Sequence, residues 1–316
     1  MKATGRKRMA EMNRPRVGVI GLGSMGMGMA QSLLRSGFDT WGCDLRAEAR
    51  QTFEAAGGQV VSAPDEMAAQ IDVVMIVVVN AEQTRDVLFG AHGIAAGLAP
   101  GSVVIACATC APEAVAALGD DLAERGLLLL DAPISGGSVK AAQGALTVMA
   151  SGPAEVFSKV ENVLDAVAAK VYRLGEKPGQ GAQVKLVNQL LAGVHIAAAA
   201  EAMAYGIRGG CDPQTLYDVI TQSAGNSWMF ENRVPHILAG DYTPHSAVDI
   251  FVKDLGLVFD TAHRDKFPLP LTAQALTMFT QASAQGYGRE DDAAVVKIFP
   301  GVALPDRAAN DSAEEG

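Results

Sequence analysis

Residues 16–26, Arg-Val-Gly-Val-Ile-Gly-Leu-Gly-Ser-Met-Gly, constrain this chain more than any other stretch. Val17–Ile20 is an apolar, largely β-branched run that feeds directly into a Gly-x-Gly-x-x-Gly turn. A helical pattern follows over Met27–Ser36, and a second short apolar run, Thr40–Cys43, ends at Asp44, 18 residues beyond Gly26. Strand, glycine turn, helix, strand and acid in that order make a dinucleotide-binding βαβ unit. Gly21 permits the tight turn, Gly23 lets the backbone approach a pyrophosphate, and Gly26 lets the helix pack closely on the strand. The helix N-terminus turns unpaired N–H groups and a partial positive charge towards the phosphates. Asp44 stands where a carboxylate accepts hydrogen bonds from ribose hydroxyls. The expected cofactor is NAD, held by Gly21, Leu22, Gly23, Ser24, Met25, Gly26 and Asp44.

The pattern that begins there continues to about Gly175. Further apolar runs at 60–61, 73–79, 103–107, 127–131, 146–150 and 171–173 alternate with helical segments that include 46–56, 65–70 and 112–125. Near-continuous apolar strands separated by helices predict a parallel sheet covered on both faces, a doubly wound α/β domain of Rossmann type. The later strands have shorter connections and predict a mixed extension. Gly175-Glu-Lys-Pro-Gly-Gln-Gly181 then breaks the pattern. Beyond it, a long Ala- and Leu-rich helical stretch runs from Ala182 to about Arg208, and no strand pattern follows it. The expected division is a tail over 1–14, a dinucleotide-binding domain over 15–178, an all-helical domain over 179–303 and an acidic tail over 304–316.

A chain of 316 residues, 49% hydrophobic and 19% charged, is long enough for two globular cores. Its net charge of −10 argues against nucleic acid or an anionic membrane as partner. The polar start, Met1–Arg16, lacks the apolar core of a secretory signal, and the Leu190–Ala200 run is short for a membrane span. A cytoplasmic protein is expected. Leu190–Ala204 is apolar nearly all round, which predicts burial on every side and at least a homodimer, or a homotetramer. Cys107-Ala-Thr-Cys110 has no second pair or histidine partner, so its thiols read as core-lining and no metal is expected. The five histidines show no ligand spacing.

Several residues could carry chemistry. Lys185 opens the long helix, with Asn188 and Gln189 three and four residues on, so the three polar groups share one face. Partial desolvation there favours the neutral lysine and suits it to acid–base work. Asp131-Ala-Pro-Ile-Ser-Gly-Gly137 follows a strand, and Ser135 with the Gly136 and Gly137 amides can cradle a carboxylate. Thr109 lies beyond another strand end, either facing a ligand or capping the helix at Pro112. Lys253 and Asp254 form a pair in an apolar helix, either an interface ion pair or a lysine closing over the cofactor. Asn226, Ser227 and Asn232 offer polar partners to a hydroxyl-rich substrate, or else cap and connect helices.

Four ordered motifs resemble the β-hydroxyacid dehydrogenases, a family that includes 3-hydroxyisobutyrate dehydrogenase and tartronate semialdehyde reductase. They are Gly21–Gly26, Asp131–Gly137, Gly179-Gln-Gly-Ala-Gln-Val-Lys185-Leu-Val-Asn188 and Lys253-Asp-Leu-Gly-Leu257, and the resemblance spans about residues 15–300. It implies that Lys185 is the catalytic acid/base. It places Asn188 on the substrate carboxylate or hydroxyl, and Ser135, Gly136 and Gly137 on the carboxylate. Thr109, Lys253 and the loop at Val78–Val79 would contact the cofactor. Many members carry Asn-Asn where this chain has Asn188-Gln189, and often Leu-Pro where it has Val78-Val79. Gln189 is carried as a substrate-side candidate. The expected activity is NAD-dependent oxidation of a small hydroxy acid, polyhydroxylated and four-carbon rather than methyl-branched or three-carbon. A non-catalytic NAD(H)-binding protein is the alternative from another class.

Overall fold

The structure, a computed structural model, describes residues 14–305; the readings of the two tails fall almost wholly outside them. Six strands form one sheet in the order β3-β2-β1-β4-β5-β6. They are β1 (Val17–Ile20), β2 (Thr40–Cys43), β3 (Gln59–Val61), β4 (Val73–Ile76), β5 (Val103–Ala106) and β6 (Leu128–Asp131), and every pairing is parallel. Alternation within the strands serves two cores. Val17, Val19, Val73, Met75, Val103 and Ile105 join a cluster with Met29, Leu33 and Phe53. Ile20, Val74, Ile76, Val104 and Ala106 join another with Met67, Ile71 and Leu88. Residues i and i+2 share a face, so four-residue strands made wholly of apolar residues are what a sheet covered on both sides requires.

The helices of this unit are α1 (Ser24–Arg35), α2 (Ala47–Ala55), α3 (Ala81–Phe89), α4 (Pro112–Ala123), α5 (Gly137–Gln143) and α6 (Ala154–Val167). The expected strand over 73–79 ends at Ile76, because Asn80 already caps α3 by accepting from the Gln83 N–H. A second sheet, β7-β8-β9, is the mixed extension: β7 (Ile134–Ser135) runs antiparallel to β8 (Leu146–Ala150), and β9 (Ala168–Arg173) parallel to it. The sequence reading places no strand at Ile134–Ser135; a two-residue strand is too short to leave a periodic signal. α1 and α5 approach closely at Gly28, where a Cβ would stand 2.6 Å from the Ala142 nitrogen. Cys107 and Cys110 are buried in different clusters, and burial pushes the Cys107 thiol up to about 12. They line cores, as expected, and among the described residues no group of side chains could hold a metal.

The chain divides into two compact units between Lys185 and Leu186, inside a 29-residue helix, α7 (Gln180–Arg208). That helix is long and apolar enough to cross a membrane by length and composition, but Ile196, Ala197, Ala200, Met203 and Ala204 lie in the core of the second unit. The same core takes Phe230 and Val234 of α9 (Trp228–Ala239), Phe251 and Leu255 of α10 (Val248–Arg264) and Phe279 of α11 (Pro270–Ala282). α8 (Pro213–Thr221) starts as read, with Asp212 as N-cap and proline in the first turn.

One cluster of buried charge in this unit joins α9 to residues 291–292. The Arg233 guanidinium grips Asp292 with two hydrogen bonds, of 2.5 and 3.1 Å. His236 Nδ1 lies 3.4 Å from Asp291 Oδ1 and meets His245 edge-on. Burial pushes the Asp292 carboxyl up to about 6 against the pull of Arg233. The sequence reading gives no histidine an acidic partner; Asp291 is 55 residues from His236 along the chain, and only tertiary packing joins them.

Candidate functional site

The glycine turn has the shape a dinucleotide requires. Gly21 has φ +93°, and a Cβ there would stand 2.4 Å from the Val77 carbonyl oxygen. A Cβ on Gly26 would stand 1.8 Å from the Gly21 oxygen, so the turn closes on itself only with glycine. Gly23 has no heavy atom within 4 Å of its Cβ position, which leaves its backbone open to a ligand. It is also the N-cap of α1, and no side chain caps that end, so the first-turn N–H groups face outward as an anion-binding surface. A cleft of about 330 Å³ lies here, lined by Leu22, Gly23 and Ser24 from the turn and by Arg46 and Glu48 beyond β2.

Asp44 is built into the same place. Its Oδ2 accepts from the Leu22 N–H at 2.7 Å, tying the end of β2 to the turn. Its Oδ1 accepts from the Arg46 N–H at 2.9 Å and from the Arg46 guanidinium at 3.1 Å. Burial alone would raise this carboxyl; the Arg46 side chain and the two backbone donors outweigh it and hold the group below its ordinary value. Asp44 is therefore an anion at neutral pH. These residues fit the adenosine end of a dinucleotide.

The lysine site is organised by Asp131, at the carboxyl end of β6. Asp131 Oδ2 accepts from the N–H groups of Gly179 and Ala182, both at 2.9 Å, and from Ser151 Oγ at 3.0 Å. Ser151 Oγ in turn accepts from the Gly181 N–H at 2.9 Å. Three backbone donors at the start of α7 are thus satisfied by one carboxylate and one hydroxyl, both fully buried. Burial pushes Asp131 above the usual carboxylate range, and the N–H groups of Ala182 and Gly179 and the Ser151 hydroxyl pull it back. Small residues let the chain come this close: a Cβ on Gly181 would stand 2.3 Å from the Met149 oxygen.

One helical turn beyond Gly181, Lys185 is 7% exposed, and its Nζ donates to the Ile134 carbonyl at 2.8 Å. Ser135 follows Ile134 directly. Gly136 and Gly137 have φ of +138° and +77°, so their amides turn in a way few other residues adopt. Lys185, Ser135, Gly136 and Gly137 therefore come together as the sequence predicts. Thr109 is half-buried in the loop after β5; it does not cap α4, whose N-cap is Ala111. Val78 and Val79 lie in the loop after β4, with the Val79 N–H bound to the Gln83 side chain.

In the second unit, Asn188, Gln189, Lys253 and Asp254 form one chain. Asn188 Nδ2 donates to Gln189 Oε1 at 2.9 Å, and Gln189 Nε2 donates to Asp254 Oδ2 at 2.6 Å. Lys253 Nζ lies 2.8 Å from Asp254 Oδ1, an ion pair without hydrogen-bond alignment. Gln189 and Asp254 are both buried. At Asn226, Ser227 and Asn232 the structure shows the second of the two readings, capping and connecting helices. Ser227 caps α9 by accepting from the Phe230 N–H, Asn226 bonds the Thr221 oxygen and Glu231, and Asn232 bonds Arg233. Local capping claims these short polar side chains first. Sequence reasoning missed Ser151 and the anchoring role of Asp131; the only signal was the acid that opens the motif at a strand end.

Residues 16–175 match the NAD-binding domain of 6-phosphogluconate dehydrogenase, and residues 179–299 match the NAD-binding region of NADP-dependent 3-hydroxyisobutyrate dehydrogenase. The chain belongs to the β-hydroxyacid dehydrogenase family, and it is an NAD-dependent dehydrogenase acting on the CH–OH group of a hydroxy acid. It is 64% identical to the L-threonate dehydrogenase of Cupriavidus necator, over 92% of this chain and 98% of that protein. It is 56% identical to the L-threonate dehydrogenase of Escherichia coli K12, over 92% and 96% of the two chains. The crystal structure of 3-hydroxyisobutyrate dehydrogenase from Salmonella typhimurium superposes with a TM-score of 0.86 at 55% identity, covering 90% of this chain and 99% of that one.

The charge on Asp44, beside the glycine turn, generates an expectation about cofactor preference. A 2′-phosphate placed against it would meet a like charge, which costs several kcal/mol. Steady-state kinetics with both cofactors should show kcat/KM for NAD exceeding that for NADP by roughly 10²-fold or more, and Asp44→Asn should narrow the gap. Comparable values in the unaltered enzyme would contradict the assignment.

Proposed function

We propose that this enzyme is soluble, acts in the cytoplasm and oxidises L-threonate at C2 to 2-dehydro-L-erythronate. The observation that carries this reading is the identity to L-threonate dehydrogenases over nearly the whole of both chains. Lys185, buried against the Ile134 oxygen, supports the chemistry. In the neutral form its amine donates one N–H to that carbonyl, which aims the lone pair at the substrate hydroxyl. Lys185 takes the hydroxyl proton as the C2–H bond breaks and the C2=O bond forms. NAD, when bound, would supply the hydride acceptor. Ser135 and the amides of Gly136 and Gly137 hold the carboxylate, and Asn188 and Gln189 stand on the substrate side. Thr109, Lys253 and the Val78–Val79 loop would hold the cofactor. The rate follows from position and proton transfer together.

A spectrophotometric screen of three- to six-carbon hydroxy acids with NAD tests the substrate. L-Threonate should exceed 3-hydroxyisobutyrate in kcat/KM by roughly 10⁴-fold, because a site built for hydroxyls rejects an analogue that lacks them. Lys185→Ala should lose roughly 10²–10⁴-fold in kcat while NADH still binds. Higher kcat/KM on 3-hydroxyisobutyrate or on tartronate semialdehyde would replace the substrate and leave the family intact.

The partner we propose is a second copy of this chain, giving a homodimer or homotetramer. α7 leaves Val184, Val187, Leu191 and Tyr205 exposed at spacings of three, four and fourteen residues, an apolar stripe at coiled-coil period. Sedimentation at micromolar concentration should give a dimer or larger; a monomer would contradict this.

A further inference from the structure

The chain of side chains from Asp254 to Asn188 has a direction, and the direction follows from chemistry alone. An ionised carboxylate only accepts hydrogen bonds, so the group that Gln189 turns to Asp254 must be its amide NH₂. That leaves Gln189 Oε1 on the other side, an acceptor, facing Asn188. Asn188 must then turn its own NH₂ to Gln189, and the polar atom it presents elsewhere is Oδ1, an acceptor. Lys253 Nζ, 2.8 Å from Asp254 Oδ1, faces the other carboxylate oxygen and marks the starting point of the relay. Amide orientation is often ambiguous when the two ends of an Asn or Gln meet similar partners; here one buried anion removes the ambiguity for both.

We infer that Gln189 and Asp254 are positioning residues that hold Asn188 with its amide oxygen towards the substrate, so that Asn188 selects a non-reacting substrate hydroxyl and not the carboxylate. The inference rests on the hydroxy-acid reading above and deepens it. A carboxylate offers no proton to Asn188 Oδ1 and is repelled by it. A hydroxyl donates to it, and an analogue without that hydroxyl leaves a buried acceptor unpaired. The length of the side chain at 189 matters for the same reason. Gln189 reaches Asp254 at 2.6 Å, and an asparagine at this position would be one methylene shorter.

The test reverses the relay. In Gln189→Lys, the ammonium would pair with Asp254 and offer a donor to Asn188, which then turns its oxygen inward and its NH₂ to the substrate. Gln189→Met removes the relay without reversing it. Each form of the enzyme is assayed with saturating NAD on L-threonate, on 2,4-dihydroxybutanoate and on 2,3-dihydroxybutanoate of matching C2 configuration. The NADH dissociation constant, measured alongside, reports an intact fold. The unaltered enzyme should prefer L-threonate over at least one of the analogues by roughly 10²-fold or more in kcat/KM. Gln189→Lys should lower kcat/KM for L-threonate by about 10²-fold while that for the disfavoured analogue moves less than about threefold, so that the preference collapses. Gln189→Met should fall between, with the preference narrowed at least about threefold. An unchanged preference in both variants, or a parallel loss on all three acids, would overturn the inference. Absence of L-threonate turnover in the unaltered enzyme instead counts against the substrate reading. The same comparison then runs on the best hydroxy acid of the screen and its deoxy counterpart: a collapsed preference supports the inference, and an unchanged one overturns it.

Discussion

The buried carboxylate of Asp131 is the interaction on which the start of α7, and with it the placing of Lys185, depends. Together with Ser151 it accepts three backbone N–H groups, from Gly179 just before α7 and from Gly181 and Ala182 in its first turn. A helix start buried without such partners would leave donors unsatisfied, at about 1–3 kcal/mol each. A carboxylate there also meets the positive end of the helix dipole, which favours its charge against the cost of burial. The result is a fixed first turn, and Lys185 stands one turn further along that rigid element. Its amine is then aimed by the Ile134 oxygen, three residues beyond Asp131. One short segment, Asp131–Gly137, thus anchors the helix, orients the lysine and carries the proposed Ser135–Gly137 cradle.

The cofactor side follows the same logic with different atoms. Asp44 ties the end of β2 to the glycine turn through the Leu22 N–H, and Arg46 closes over it. Both anchors are carboxylates at the carboxyl ends of parallel strands, where such sheets place their ligand sites. In the second unit, Asp254 acts comparably through Gln189. Three buried or half-buried acids each set the geometry of a neighbour, and the net charge of −10 is thus no obstacle to anionic ligands. The local donors are backbone amides and a few lysines.

Much of this is legible in the sequence. The apolar runs locate most of the strands, and the glycine turn with Asp44 identifies the dinucleotide half, because both follow from local geometry. Lys185, Asn188 and Gln189 fall on one helix face by spacing alone. What is not legible depends on long-range contact. Ser151 is 20 residues from Asp131, and nothing in its surroundings marks it as a partner. The direction of the Asn188 amide depends on Asp254, 65 residues beyond Gln189. The polar residues at 226, 227 and 232 leave two readings open in sequence, a ligand lining or helix caps, and the local hydrogen bonds show the caps. Short elements such as β7 escape because two residues show no period.

A double-mutant cycle between Asp131 and Lys185 tests the anchoring most directly. Asp131→Asn keeps the size of the side chain but removes the charge and sets an NH₂ group among the Gly179, Ala182 and Ser151 donors. If Asp131 acts by placing Lys185, Asp131→Asn alone should lower kcat by roughly 10–10²-fold, with the NADH dissociation constant changed less than about threefold. In a Lys185→Ala background the same substitution should change kcat hardly at all, because residues that act as a unit are strongly non-additive. A loss of the same size in both backgrounds would contradict the account and make Asp131 a structural residue independent of the lysine.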